Sequence, residues 1–148
     1  MGRNAMNLNT TGVANTAVGN AALRVNTTGI QNSAFGEAAL RLNQTGSSNT
    51  AIGKNSLYNN ISGDYNTALG HQALYFNTAS NNTAVGYQAA YDNATGNYLT
   101  AIGYQSLKAN TTGEANSSLG YLALTANTTG NYNTGVGFFS LYSNVTGS

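Results

Sequence analysis

The chain contains no cysteine, proline or tryptophan, and only 6% of its 148 residues are charged. The lack of cysteine excludes disulfides, thiolate nucleophiles and zinc–thiolate centres, and leaves the redox compartment open. Five Lys and Arg against four Asp and Glu leave a net charge of +1, too little to track a nucleic-acid backbone or to hold an anionic membrane surface. No apolar run approaches the roughly 20 residues of a bilayer-spanning helix, and Met1 is not followed by the basic and apolar stretches of a secretory signal. Neither nucleic acid nor membrane insertion is expected.

What the chain does have is repetition. Gly19, Gly36, Gly53, Gly70, Gly86, Gly103, Gly120 and Gly137 recur every 17 residues, with one step of 16 between Gly70 and Gly86. A second series, Gly12, Gly29, Gly46, Gly63, Gly96, Gly113, Gly130 and Gly147, keeps the same beat. The unit reads N-[TS]-A-[VILF]-G-x-x-[AS]-L-x-x-N-x-[TS]-G-x-x, and the short step falls in "FNTASNNT", where the second glycine is missing. A fixed period of this kind marks a solenoid, whose units bury their apolar faces only by stacking on one another. Residues 1–148 are therefore read as a single repeat domain. It starts and ends inside the pattern without capping units, so either it is a piece of a longer repetitive protein or its ends meet those of neighbours to build a fibre.

The apolar stretches are too short for stable helices. A helical turn at "EAALRL", as in leucine-rich repeats, would belong to a longer unit of about 20 to 29 residues. "NTAVG" and "ALxxN" instead suit two short strands per unit, separated by two turns. The expected fold is all-β, a parallel β-solenoid (β-roll or β-helix) of eight to nine 17-residue coils, about 40 Å long for eight coils at the usual strand spacing. The first glycine series marks its structural turns. Val18, Phe35, Ile52, Leu69, Val85, Ile102, Leu119 and Val136 are expected to line the inside, facing Leu23, Leu40, Leu57, Leu74, Leu107, Leu124 and Leu141. The small residues beside them, such as Ala17 and Ala22, would then point outward and leave flat apolar stripes that call for a partner. Asn15, Asn32, Asn49, Asn66, Asn82, Asn116 and Asn133 are placed to form an amide ladder.

The words "NTAVG", "NSAFG", "NTAIG", "NTALG" and "NSSLG" resemble the NSxAIG core of the head repeats of YadA-like trimeric autotransporter adhesins, and "NTAVGYQA" is similar to arrays in phage and bacterial fibre proteins. The likeness covers nearly the whole chain, although the unit here is longer than the usual head repeat. It implies a left-handed β-roll and a homotrimer. It also implies an extracellular place, on a cell surface or on a virion as in a tail fibre, with host surface, matrix or glycans as partners besides the chain itself.

Catalysis needs converging ionisable groups, and the chain has few. Glu37, Asp64, Asp92 and Glu114 all lie in different units; Asp64 and Glu114 share a repeat position but sit three coils apart, about 14 Å, beyond the usual glycosidase pair. His71 occupies a slot filled elsewhere by Asn20, Glu37, Lys54, Tyr87 and Tyr104. No enzymatic activity, metal or cofactor is expected. Tyrosine has a pattern that could recognise something: Tyr87, Tyr104, Tyr121 and Phe138 share one slot, and Tyr58, Tyr75, Tyr91 and Tyr142 another. Stacked aromatics can meet sugar faces or serve as contact area. Each "NxT" turn is also a glycosylation sequon, at Asn9, Asn26, Asn43, Asn60, Asn93, Asn110, Asn127 and Asn144, with Asn81 and Asn116 outside that slot. A glycan-coated filament subunit is thus one alternative to a plain fibre or adhesin-head segment. An ice-binding solenoid is another, using the rank Thr16, Ser33, Thr50, Thr67, Thr83, Thr100, Ser117 and Thr134.

Overall fold

The computed structural model describes residues 2–147. Eight three-residue strands, β1 (Thr16–Val18), β2 (Ser33–Phe35), β3 (Thr50–Ile52), β4 (Thr67–Leu69), β5 (Thr83–Val85), β6 (Thr100–Ile102), β7 (Ser117–Leu119) and β8 (Thr134–Val136), form one parallel sheet in chain order. The register is constant: Ala17 pairs with Ala34, Ala34 with Ala51, and so on. Thr67 still pairs with Thr83 across the short unit, so the missing residue is absorbed in the loop and the sheet does not slip. The protein is a parallel β-solenoid in which each unit lays down one coil.

Each coil contains one strand rather than two. The "ALxxN" segment runs through consecutive turns, closed in the second coil by Ala22 N–H donating to Gly19 O and Asn26 N–H to Leu23 O. Left-handed backbone recurs at non-glycine residues in and beside that segment, as at Ala21 and Leu23 with φ 55° and 49°, and in the corner after the second glycine, as at Gln31 with φ 58°. Such angles cost on the order of 1–3 kcal/mol each. They persist because each of these residues aims its N–H along the solenoid axis, Ala38 to Asn20 O, Leu40 to Ser56 O and Gln31 to Val13 O. The axial hydrogen bonds of stacked turns replace the ladder a second strand would have made.

The inward and outward ranks of the strand are the reverse of the expectation. Ala17, Ala34, Ala51, Ala68, Ala84, Ala101 and Ser118 are buried, whereas Val18, Phe35, Ile52, Leu69, Leu119 and Val136 are exposed. A three-residue strand turns its middle side chain one way and its two ends the other. The leucines decide which. Leu23, Leu40, Leu57, Leu74, Leu107 and Leu124 are fully buried, as are Ala22, Ala39, Ser56, Ala73, Ala89, Ser106 and Ala123 beside them, whereas Leu141, expected inside with them, is exposed in the last coil, where no further coil covers it. A methyl group at Gly135, in the middle of β8, would stand 3.1 Å from Leu124 Cγ. Even a methyl is tight at that distance, so the gap between the sheet and the leucine row has no room for a branched aliphatic side chain. The buried Ser118 hydroxyl is satisfied there, accepting from Ser106 Oγ at 2.6 Å and donating to Ala123 O at 2.8 Å.

Candidate functional site

Two asparagine ladders flank this core. In the first, Asn32, Asn49, Asn66, Asn82 and Asn116 are buried, and each Oδ1 accepts the N–H of its counterpart one coil on, as in Asn49 N–H to Asn32 Oδ1 at 3.0 Å. Leu99 takes the asparagine position in one coil and is itself buried; its N–H still meets Asn82 Oδ1 at 2.9 Å, but it returns no acceptor to the next coil. The second ladder runs unbroken from Asn9 to Asn144. Asn43 Nδ2 donates to Asn26 Oδ1 at 2.8 Å and to Gly46 O at 2.9 Å, and the pattern repeats.

The two ladders meet on the second glycine series. Gly29 O accepts from Asn26 Nδ2 at 2.9 Å and from Asn15 Nδ2 at 2.8 Å, so both lone pairs are used. In the short coil Ala79 O takes the same two bonds from Asn77 and Asn66, at 2.8 Å each. The first glycine series has a different reason to exist. Gly19, Gly36, Gly53, Gly70, Gly86, Gly103, Gly120 and Gly137 have φ between +117° and +142°, where a side chain is strained.

The second ladder consumes most of the sequons. Asn26, Asn43, Asn60, Asn93, Asn110 and Asn127 are fully buried, and in each the nitrogen a glycan would occupy donates two hydrogen bonds. Asn9 and Asn144, in the outermost coils, are partly buried with the same nitrogen engaged. The buried ladder counts against the alternative of a glycan on every coil, and accounts for the repeated sequon pattern as an internal ladder. Asn116 is buried in the first ladder. Asn81 alone among the ten sequon asparagines has an exposed side chain, and it makes no side-chain hydrogen bond among the described residues.

Outside the core, the aromatic slots become stacks. Tyr87, Tyr104, Tyr121 and Phe138 lie with centroids 5.1–5.2 Å apart and planes within 12°, with His71 tilted against Tyr87. Tyr58, Tyr75 and Tyr91 form the second stack at 5.1 and 5.2 Å. Phe76 edges onto it, Arg41 lies over the Tyr58 ring, and the Arg41 guanidinium donates to the Tyr58 hydroxyl. Tyr142 does not join this stack, because Lys108 and Thr125 fill the intervening slots; it packs on Phe139 instead. Rings stacked face to face leave only their edges outward, so the sugar-platform geometry is lost within each stack. Burial raises the Tyr91 phenol above its ordinary value, with Tyr75, Asp92 and Tyr87 adding to the effect. Burial also raises the Asp92 carboxyl, against the pull of Lys108.

Sequence reading missed a third tyrosine slot. Tyr65, Tyr98 and Tyr132 stand two residues after the second glycine position and are 65–76% exposed; "GDYN", "GNYL" and "GNYN" carried the signal. It also missed the glutamine ladder from Gln105 through Gln88 to Gln72, at 2.8 and 2.9 Å. The ionisable groups are dispersed: Glu37 pairs with Lys54 at 3.0 Å in solvent, Asp64 accepts the Ser47 N–H, and Glu114 faces Asn97. Among the described residues no three acids, histidines or cysteines gather to hold a metal, and no helix is long and apolar enough to cross a membrane.

The outward face of the sheet runs the length of the eight strands. It carries two parallel rows, Thr16 through Thr134 and Val18 through Val136, stepping at strand spacing. Comparison with known proteins adds nothing to this geometry: no family model, curated protein or solved structure matches the chain.

Proposed function

We propose that this chain is a structural, non-enzymatic segment of an extracellular fibre or adhesin head that self-associates through the outward face of its sheet. One observation carries the reading. The exposed Val18, Phe35, Ile52, Leu69, Leu119 and Val136, with the half-buried Val85 and Ile102 between them, form a continuous apolar stripe along the solenoid, and stripes of this kind mark interfaces. A second copy offers a stripe of the same pitch, so copies can align coil by coil without a charge to steer them. The trimer and the surface location come from the likeness to adhesin head repeats, and host matrix or glycans remain the partners that likeness suggests. The acids are dispersed, and Glu37, Asp64 and Glu114 are each engaged with a neighbouring side chain or N–H, which supports a role without catalysis.

Electron microscopy with mass from light scattering tests the proposal. Discrete three-chain particles or long filaments support it; filaments built end to end from eight-coil units would repeat near 40 Å. The double variant Ile52→Asp, Leu69→Asp should yield folded monomers. A parent chain that stays monomeric at high concentration overturns the reading.

Ice binding gains one observation as a second reading. The hydroxyl rank lies on this same outward face beside a methyl-bearing rank, while the neighbouring asparagines turn inward. Thermal hysteresis in the parent chain, abolished by Thr67→Lys, would favour it; its absence at high concentration would end it.

A further inference from the structure

We propose that Asn81 is a site of N-linked glycosylation, and that it is the single position at which the folded solenoid carries a glycan. The proposal rests on the extracellular reading only in requiring that the chain meet a transferase. The chemistry needs an accessible amide followed two residues on by a hydroxyl. Asn81-Asn82-Thr83 supplies both: the Asn81 side chain is exposed and without a hydrogen bond, and the Thr83 hydroxyl makes none either. In the ladders the same nitrogen is buried and doubly donated, as at Asn43 and Asn60. A sugar on a ladder nitrogen would remove one of its donors, displace a neighbouring coil and leave buried carbonyls unpaired.

The exception lies in the short coil, at a slot that is outside both ladders. Asn81 stands in the corner slot occupied by Tyr65 one coil earlier and Tyr98 one coil later, with φ 63° beside their 57° and 59°. Its N–H is satisfied by Asp64 O at 3.0 Å, so the backbone there is held while the side chain projects. Tyr65 and Tyr98 are exposed and stack on no other ring, which leaves aromatic faces on either side of the glycan's first sugar. The donor is a lipid diphosphate-linked oligosaccharide. Nδ2 forms the bond to the sugar C1, the C1–oxygen bond to the diphosphate breaks, the lipid diphosphate leaves, and the amide proton passes to a base of the transferase. Transfer acts on the unfolded chain, where every sequon is open; folding then retains only molecules whose ladders are free.

The test expresses the full chain in a glycosylating secretory host, behind a secretion signal and ahead of an added C-terminal Asn-Gly-Thr tail that reports contact with the transferase. In molecules with an occupied tail, the folded, protease-resistant fraction should carry one further glycan, mapped to Asn81 by peptide mass spectrometry. Asn81→Gln should lose it, and Thr83→Ala should lose it with Asn81 still in place. An occupied tail with Asn81 bare, or a glycan on Asn43, Asn60 or Asn110 in the folded fraction, overturns the proposal. Because the host supplies the secretion route, neither outcome bears on whether the chain self-associates.

Discussion

The buried ladder through Asn26 and Asn127 and the exposed stack through Tyr87 and Phe138 repeat at the same coil spacing, but they repeat for different reasons. In the ladder the amide is shut away from water, and each Asn must find its donor and acceptor in the coils before and after it. Asparagine therefore fills every position from Asn9 to Asn144. In the aromatic slot water satisfies whatever stands there, and Asn20, Glu37, Lys54 and His71 precede the tyrosines without disturbing the coil. Repetition enforced by burial is structural; repetition tolerated at the surface is open to recruitment for contact.

Breaking the ladder should have the largest effect. Asn60→Leu leaves Asn43 Oδ1 without its donor and takes one of two bonds from Gly63 O, which keeps Asn49 Nδ2, and from Asn77 Nδ2, which keeps Ala79 O. At about 1–3 kcal/mol for the orphaned acceptor and about 0.5–1.5 kcal/mol for each lost bond, the cost is about 2–6 kcal/mol, read by urea unfolding followed by circular dichroism. Gly103→Val should be comparably damaging, since φ is +134° and a Cβ would run into Gly120 O. Gly137→Ala, in the last coil with nothing within 4 Å of its Cβ, isolates the dihedral strain alone and should cost about 1–3 kcal/mol. Equal losses at the two glycines would mean that close approach between coils contributes nothing.

On the exposed side Tyr104→Ser removes two ring pairs, and about 1–2 kcal/mol of stability should go with them, with the coil intact by circular dichroism. Leu99→Asn sharpens the contrast from inside the core. It would restore an acceptor for the Asn116 N–H but surrender a buried leucine, so the midpoint should stay within about 1 kcal/mol of the parent, the two terms being of similar size.

The smallest effect is electrostatic. Burial raises the Asp92 carboxyl, so between its unfolded and folded values the native state binds the proton more tightly. Stability falls as pH rises through that window and stays lower above it. Asp92→Asn should remove this acid-side slope in urea midpoints measured from pH 3 to 7, and an unchanged slope would mean that the carboxyl is better hydrated than its surroundings indicate.

The 17-residue period, the strand at every "TAV" and the leucine row were all legible in the sequence, because spacing and composition report them directly. The first ladder was legible too, since identical amides at identical positions must lie above one another in parallel stacking. The second ladder was read as turn chemistry and sequons, because "NTTG" satisfies a turn, a sequon and a ladder equally well. The sense of the strand was misread for a related reason: Thr-Ala-Val alternates whichever side faces in.

The sequence by itself determined the solenoid, its coil length and the glycine turns, since glycine spacing and strand pairing act between neighbouring units along one axis. Only the tertiary structure decided which rank is inside. Leu124 standing 3.1 Å from where a methyl at Gly135 would lie leaves the interior no room for a branched aliphatic side chain. The aliphatic side chains go outward as a result, and they make the surface on which self-association is proposed.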